Sequence, residues 1–300
     1  MEPGPIELTQ SSSNLSSKYF VTCPRVTSSV LKGLNANDKN IVMRGLMKLA
    51  RGSQDTGVVV KVGSTDSLLN EFKTAKMLFD NDVPGVLKYI CYFTCADDYT
   101  TYARLCNGPG DSMRVLVMPY MCLGSLKSYR NWTNHDQVRS ALKQVIATIV
   151  QSYSAANIIQ SDRHPDNVLL KRTSKPLISY RVDGREFGIP TYGLRTLCMD
   201  FENSMDLSGL PVETTVGSLA MMDDLGTAVV RFNTDSISLR ISNIHEFDRV
   251  LARIKERIGT GLPWHVVLQL LLDVVDRLRF EPHQPLQDLI AQMLADRGYR

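Results

Sequence analysis

Apolar and polar positions change their period along this chain, and the change predicts strands first and helices later. Val58-Val59-Val60-Lys61-Val62 is a β-branched run bounded by Gly57 and Gly63, which predicts a buried strand carrying one Lys. Leu68, Leu69, Phe72, Ala75, Met77, Leu78 and Phe79 then fall around a helical wheel, with Asp66 or Ser67 as the cap and Glu71 on the same helix. Residues 86–94 and 113–118 read as strands, separated by a loop containing Asn107-Gly108-Pro109-Gly110. Upstream, Ile41, Met43, Leu46, Met47 and Leu49 predict an amphipathic helix over 38–50. Residues 1–17, rich in Ser, Pro and Gly, are expected to be a flexible tail.

The strand pattern stops at Met118-Pro119-Tyr120-Met121, and Gly124-Ser125-Leu126 opens a polar segment, as a hinge between two lobes would. The chain is therefore expected to be α+β, with a small β-rich lobe over 18–118 and a hinge and mainly helical lobe over 119–300. In the second part, Val138, Leu142, Val145, Ile146 and Ile149 predict a helix over 136–154. Two alternating runs around Asp183-Gly184 predict a hairpin, and residues 196–199 a short strand ending at Asp200-Phe201-Glu202. Helical patterns dominate from Met222, over 245–258, 264–278 and 284–294.

Composition changes this picture little. Hydrophobic residues at 43% and charged residues at 22% suit an ordinary globular chain, and a formal net charge of +3 is too small to indicate nucleic acid as a partner. The six cysteines lack paired metal-site spacing and read as reduced thiols of an intracellular protein. The first residues lack the basic and apolar segments of a signal peptide, and the apolar run VVLQLLLDVV is too short to span a bilayer, so no membrane partner is expected.

Candidate chemistry centres on NIIQSDRHPDNVLLK, residues 157–171, which sets Asp162 and Asn167 in a polar loop between two apolar runs. Local signals alone also allow a plain turn between two strands. Lys61 on a strand, Glu71 on the next helix, Asp162 and Asn167 in a loop and Asp200 at a strand end nevertheless form an ordered series. Each has a job in moving a γ-phosphoryl group. A Lys held by an acidic partner can neutralise phosphate charge, a carboxylate can take the acceptor's proton, and an Asn and an Asp can ligate Mg²⁺.

At these residues the chain resembles the protein-kinase superfamily. VVVK ending at Lys61 is similar to the Val-Ala-Ile-Lys strand, SDRHPDN at 161–167 to the catalytic loop, and Asp200-Phe201-Glu202 to the metal-binding Asp-Phe-Gly. MPYMCLGSL at 118–126 resembles the segment joining the lobes, with Met118 in the gatekeeper position and Tyr120 and Met121 where backbone groups would bind adenine. Asp223-Asp224-Leu225-Gly226 is similar to the start of the helix that anchors the catalytic loop, and the added hairpin resembles the divergent kinase-like proteins of large DNA viruses.

The resemblance implies a two-lobed protein-kinase-like fold and a serine/threonine-type protein kinase using ATP and Mg²⁺. It makes Asp162, His164 and Asn167 catalytic, Lys61, Glu71, Met118, Tyr120 and Met121 nucleotide-binding, and Asn167 and Asp200 metal ligands. A viral origin would place the protein in the host cytoplasm or the virion. The chain departs from the family in lacking Gly-x-Gly-x-x-Gly before Lys61 and Ala-Pro-Glu after Asp200. Gln160 stands where the family has His, His164 where it has Lys, and Glu202 where it has Gly. Two alternatives stay open: a small-molecule phosphotransferase, since the loop also resembles that of aminoglycoside and choline kinases, and a pseudokinase interaction module.

Overall fold

The computed structural model describes residues 32–36, 40–48, 55–63, 66–95, 113–209, 215–236 and 239–282. Helices and strands are both well represented, so the chain is α+β. The described residues fall into two compact units, one ending at Lys76 and resuming over Leu87–Tyr120, the other comprising Met77–Val86 and the residues from Met121. The expected tail, the Asn107-Gly108-Pro109-Gly110 loop and the helix over 284–294 lie outside the described residues.

The first unit is built on one antiparallel sheet of five strands: β1 (Lys32–Ala36), β2 (Asn40–Lys48), β3 (Asp55–Gly63), β4 (Cys91–Thr94) and β5 (Arg114–Pro119), in the order β1-β2-β3-β5-β4. The central strand β3 explains why its sequence is so strongly β-branched. Val58, Val60 and Val62 are buried on one face, and the alternation sends Lys61 to the other. The helix expected over 38–50 is instead strand β2. Ile41, Met43 and Met47 also fit an alternating period, and a ladder from Asn40↔Gly63 to Lys48↔Asp55 outweighs a local helical pattern.

Helix α1 (Ser67–Asp80) begins in this unit, where it buries Leu68, Phe72 and Ala75, and Phe72 stacks on Tyr92 of β4 with ring centroids 5.6 Å apart. The strand expected over 86–94 is shorter, because only Cys91–Thr94 pairs with β5 as a ladder. Cys91 and Cys95 are disulfide-bonded, whereas Cys122 and Cys198 are free. The expectation of six reduced thiols is therefore corrected. It rested on spacing, and a linkage depends on Cα separation in the fold, which spacing does not reveal.

The second unit is organised around α2 (His135–Ala156). Asn134 caps its first turn by accepting from the Gln137 amide, Asp136 adds favourable charge there, and Asn157 ends it in the left-handed region at φ 55°. The helix is buried around most of its circumference, so its polar side chains need partners inside. Gln144 supplies one set, accepting from the Thr196 amide and donating to the Leu194 carbonyl, while Gln151 accepts from the Arg181 amide.

These bonds hold two pieces of β-structure against α2. One is the hairpin of β8 (Leu177–Val182) and β9 (Arg185–Pro190). Its tip, Asp183 and Gly184, has φ 50° and 74°, as a two-residue turn with both centres left-handed requires. The other is β10 (Leu194–Cys198), which pairs with β7 (Val168–Arg172). A second small ladder joins β6 (Ile158–Gln160) to β11 (Ser204–Asp206). Gly85 is required where its segment crosses α2, since a Cβ there would lie 1.7 Å from Thr148 Oγ1.

Helices α3 (Thr215–Asp235), α4 (His245–Arg257) and α5 (Trp264–Arg277) complete the unit, with β12 (Leu239–Ile241) paired to β13 (Phe280–Pro282). Helical structure thus starts earlier than Met222, and the β12–β13 pair was not foreseen. No helix among the described residues is long and apolar enough to cross a membrane.

Candidate active site

The loop between β6 and β7 is fixed from three sides. A single 3-10 turn, Pro165–Asn167, begins with Pro, whose missing amide is no loss at a helix start. Asn167 is buried, and its Nδ2 donates to the Asp162 carbonyl at 3.1 Å, closing the loop on itself. On the outer side Lys127 Nζ meets Asp166 Oδ2 at 2.8 Å, and the Lys127 and Leu126 amides donate to the Pro165 and Val168 carbonyls.

The segment carrying Asp200 is tied to this loop. The Met199 amide donates to the Asn167 carbonyl at 2.9 Å, and Gln160 Nε2 donates to the carbonyls of Met199 and Asp200 at 2.7 and 2.8 Å. Gln160 therefore has a definite structural task. Asp200 itself adopts φ 62°, a conformation that costs a non-glycine residue about 1 kcal/mol or more and persists only where its surroundings impose it. The neighbouring Phe201 ring is fully buried and anchors the segment.

Asp162 is half-buried. Its Oδ1 lies 3.4 Å from Arg231 Nη1 of α3 and 3.9 Å from His164 Nε2, while His164 Nδ1 lies 3.9 Å from Asp166 Oδ2. Asp162, His164, Asn167 and Asp200 thus belong to one neighbourhood of the second unit. It offers a solvent-accessible carboxylate, an imidazole, a carboxamide and a second carboxylate.

Lys61, Glu71, Met118 and Tyr120 lie in the first unit. Lys61 Nζ meets Glu71 Oε2 at 2.9 Å, and Tyr89 Oη donates to Glu71 Oε1 at 2.6 Å, so both carboxylate oxygens are engaged. Met118 is a buried β5 residue opposite Val59 and serves packing. The Tyr120 amide donates to the Gly57 carbonyl, and the Arg44 guanidinium sits 3.8 Å over the Tyr120 ring centroid. Met121 begins the second unit, where its carbonyl accepts from Gly124 in a turn.

Sequence reasoning missed several members of these groups. Tyr89 lay unremarked in an expected strand, and Arg44 in an expected helix. Arg163 is only 1% exposed, with its Nε 3.3 Å from Asp224 Oδ2 and its Nη1 in contact with Cys198 Sγ at 3.6 Å. Burial pushes the Asp224 carboxyl up to about 7, with the Arg163 guanidinium opposing the shift and the Asp162 charge reinforcing it. Burial also raises the Cys198 thiol, again against Arg163. Asp224 itself was not missed, since it belongs to Asp223-Asp224-Leu225-Gly226, the segment similar in sequence to a helix start that anchors such a loop. It falls three residues after Met221 and four before Ala228, on the face that Leu225, Val229 and Phe232 bury.

No family model matches the chain, and no curated protein matches it in sequence.

Proposed function

We propose that this chain is an ATP- and Mg²⁺-dependent kinase of the two-lobed protein-kinase type, transferring the γ-phosphoryl group to a Ser or Thr hydroxyl of a protein. The observation that carries the reading is the tie between the two chemical segments of the second unit. Asn167 and Gln160 bond directly to the backbone at Met199 and Asp200, so Asp162, Asn167 and Asp200 are held together.

In this reading Asp162 receives the acceptor's proton as the new O–P bond forms and the bond to the nucleotide's β-phosphate oxygen breaks. Asn167 and Asp200 are the residues that would hold Mg²⁺. They fit a hard cation, because both offer oxygen and the Asn167 amide nitrogen is already turned to the Asp162 carbonyl. The bound ion would neutralise phosphate charge. His164 would donate to the transferring phosphoryl group, and Lys61, oriented by Glu71 and Tyr89, would counter the charge of the remaining phosphates. Tyr120 and Met121, in the segment that joins the units, would lie along the adenine, with Met118 behind them.

A second reading, a nucleotide-binding module without catalysis, is favoured by Arg231, because its guanidinium stands at the Asp162 oxygen that an acceptor hydroxyl would have to reach. Transfer of labelled phosphate from ATP, with Mg²⁺ or Mn²⁺, to mixed proteins and to a panel of small hydroxyl compounds separates the readings. Transfer to protein that falls about 10²–10⁴-fold in Asp162→Ala and is lost in Asp200→Ala is expected. Unchanged transfer in Asp162→Ala would remove that residue from the reaction. Transfer to small acceptors alone would make the enzyme a small-molecule phosphotransferase, and folded, nucleotide-bound but silent protein would favour the binding module.

A further inference from the structure

Asp162 carries a cation to which the mechanism above gives no task. Arg231 Nη1 stands 3.4 Å from Asp162 Oδ1, and His164 Nε2 lies 3.9 Å from the same oxygen, so two basic groups converge on the carboxylate that is to receive the acceptor's proton. Arg231 is held there by its helix. Val229 and Phe232 are buried and fix the inner face of α3, which leaves Arg231 on the outer face with Thr227, Val230 and Thr234, all exposed and uncharged.

The nearby acids are matched otherwise. Asp166 meets Lys127 at 2.8 Å, and Asp235, one turn beyond Arg231, accepts from Thr234 Oγ1 at 2.7 Å. Among the described residues Asp162 is thus the acid paired with Arg231. A guanidinium stays charged at any working pH, so when an acceptor hydroxyl displaces it from Asp162 it needs another anion. The existing contact is long, one-pronged and half exposed, and such pairs are weak. A carboxylate or phosphate that takes both prongs of a guanidinium holds it more strongly.

We propose that Arg231 is a specificity-determining residue that selects acceptor proteins carrying an anionic side chain, carboxylate or phosphate, close in sequence to the Ser or Thr hydroxyl. The inference rests on the kinase reading of Asp162. The anion draws the guanidinium off Asp162 Oδ1 and opens that oxygen to the hydroxyl, so one contact both anchors the acceptor and frees the base. Distance sets the range. Residues of an extended chain advance about 3.3 Å each, so a group bound at Arg231 belongs to a position near the acceptor. A Lys or Arg at that position meets Arg231 as a like charge and leaves it on Asp162.

The test measures kcat and KM with ATP and Mg²⁺ for short Ala/Gly peptides with one central Ser, either neutral or carrying a single Glu, phosphoserine or Lys at each of the three positions on either side. For the wild type, kcat/KM should be about tenfold higher with an anion at the best position than for the neutral peptide, and lower with Lys. A preference shared by Glu and phosphoserine assigns the anion to an acidic sequence, and one confined to phosphoserine assigns it to a prior phosphorylation. Arg231→Ala should transfer to the neutral peptide at least as well as the wild type and level the panel. Arg231→Glu should turn the preference to Lys, a reversal that a merely structural residue would not produce.

Equal kcat/KM across the panel in the wild type, a preference for anions that survives in Arg231→Ala, or a folded Arg231→Ala that loses transfer to every peptide in parallel would overturn the proposal. If the wild type phosphorylates neither the peptides nor mixed proteins, the kinase reading fails, and fluorescence anisotropy of the labelled peptides then decides on Arg231 alone. Tighter binding of the anionic peptides than of the neutral one, lost in Arg231→Ala and reversed in Arg231→Glu, supports the site, and equal binding refutes it.

Discussion

Lys61–Glu71 in the first unit and Arg163–Asp224 in the second are both buried ion pairs, yet they meet the demands of burial differently. At Glu71 each carboxylate oxygen has a donor, the Lys61 ammonium at 2.9 Å and the Tyr89 hydroxyl at 2.6 Å. At Asp224 neither oxygen has an aligned donor, and the guanidinium stands at 3.3 Å. A low-dielectric setting strengthens a saturated pair and penalises an unsaturated one. The first pair is therefore a fixed electrostatic element, while the second sits close to the point where a proton replaces the partner.

The largest expected effect is on the saturated pair. Lys61→Met takes the cation from a carboxylate that is 1% exposed and should lower stability by about 3–5 kcal/mol in urea unfolding at neutral pH. A loss under 1 kcal/mol would mean that the pair is far less coupled to the fold than its geometry implies.

The unsaturated pair gives a smaller effect with a characteristic pH dependence. Asp224 moves from its ordinary value of 3.8 to about 7 on folding, so between those values the native state holds a proton that the unfolded chain has released. Its contribution to stability is complete below the lower value, declines as pH rises through the window and levels off above 7. Between pH 5 and pH 7 the decline should be about 2 kcal/mol, and Asp224→Asn should abolish it. A pH profile that is the same in the wild type and in Asp224→Asn would show that Asp224 is ionised throughout this window.

The smallest effect tests the saturation itself. Tyr89→Phe leaves the Lys61 contact intact and removes one charge-assisted hydrogen bond, for an expected loss of about 1.5 kcal/mol.

How much of this was legible in the sequence depends on the range over which each feature is determined. The 183–184 hairpin was legible because Asp-Gly specifies its turn locally, and α2 because its apolar period is long and Asn134 caps it. Strand β2 was read as a helix because its apolar residues satisfy both periods, and only its pairing with β3 resolves the ambiguity. Asp162, Asn167 and Asp200 were recognisable as residues with a common chemistry. The bonds that assemble them run through Gln160 and the backbone of Met199, which no side-chain pattern records. The contact between Arg163 and Asp224 was invisible in the loop, where Arg163 looks like one more polar residue, although Asp224 itself stood out in Asp223-Asp224-Leu225-Gly226.

The tip of the β8–β9 hairpin bears on where this protein can be altered. Loop tips are ordinarily the places where tags, labels or extra sequence are tolerated. Here the Asp183 carboxylate accepts from the His265 amide at 2.9 Å and also lies 3.1 Å from His265 Nδ1, so the residue that turns the hairpin also caps the start of α5. An insertion at 183–184 would uncap a helix eighty residues away in the chain. For any fusion or spectroscopic label in the second unit, the hairpin tip is the wrong port of entry.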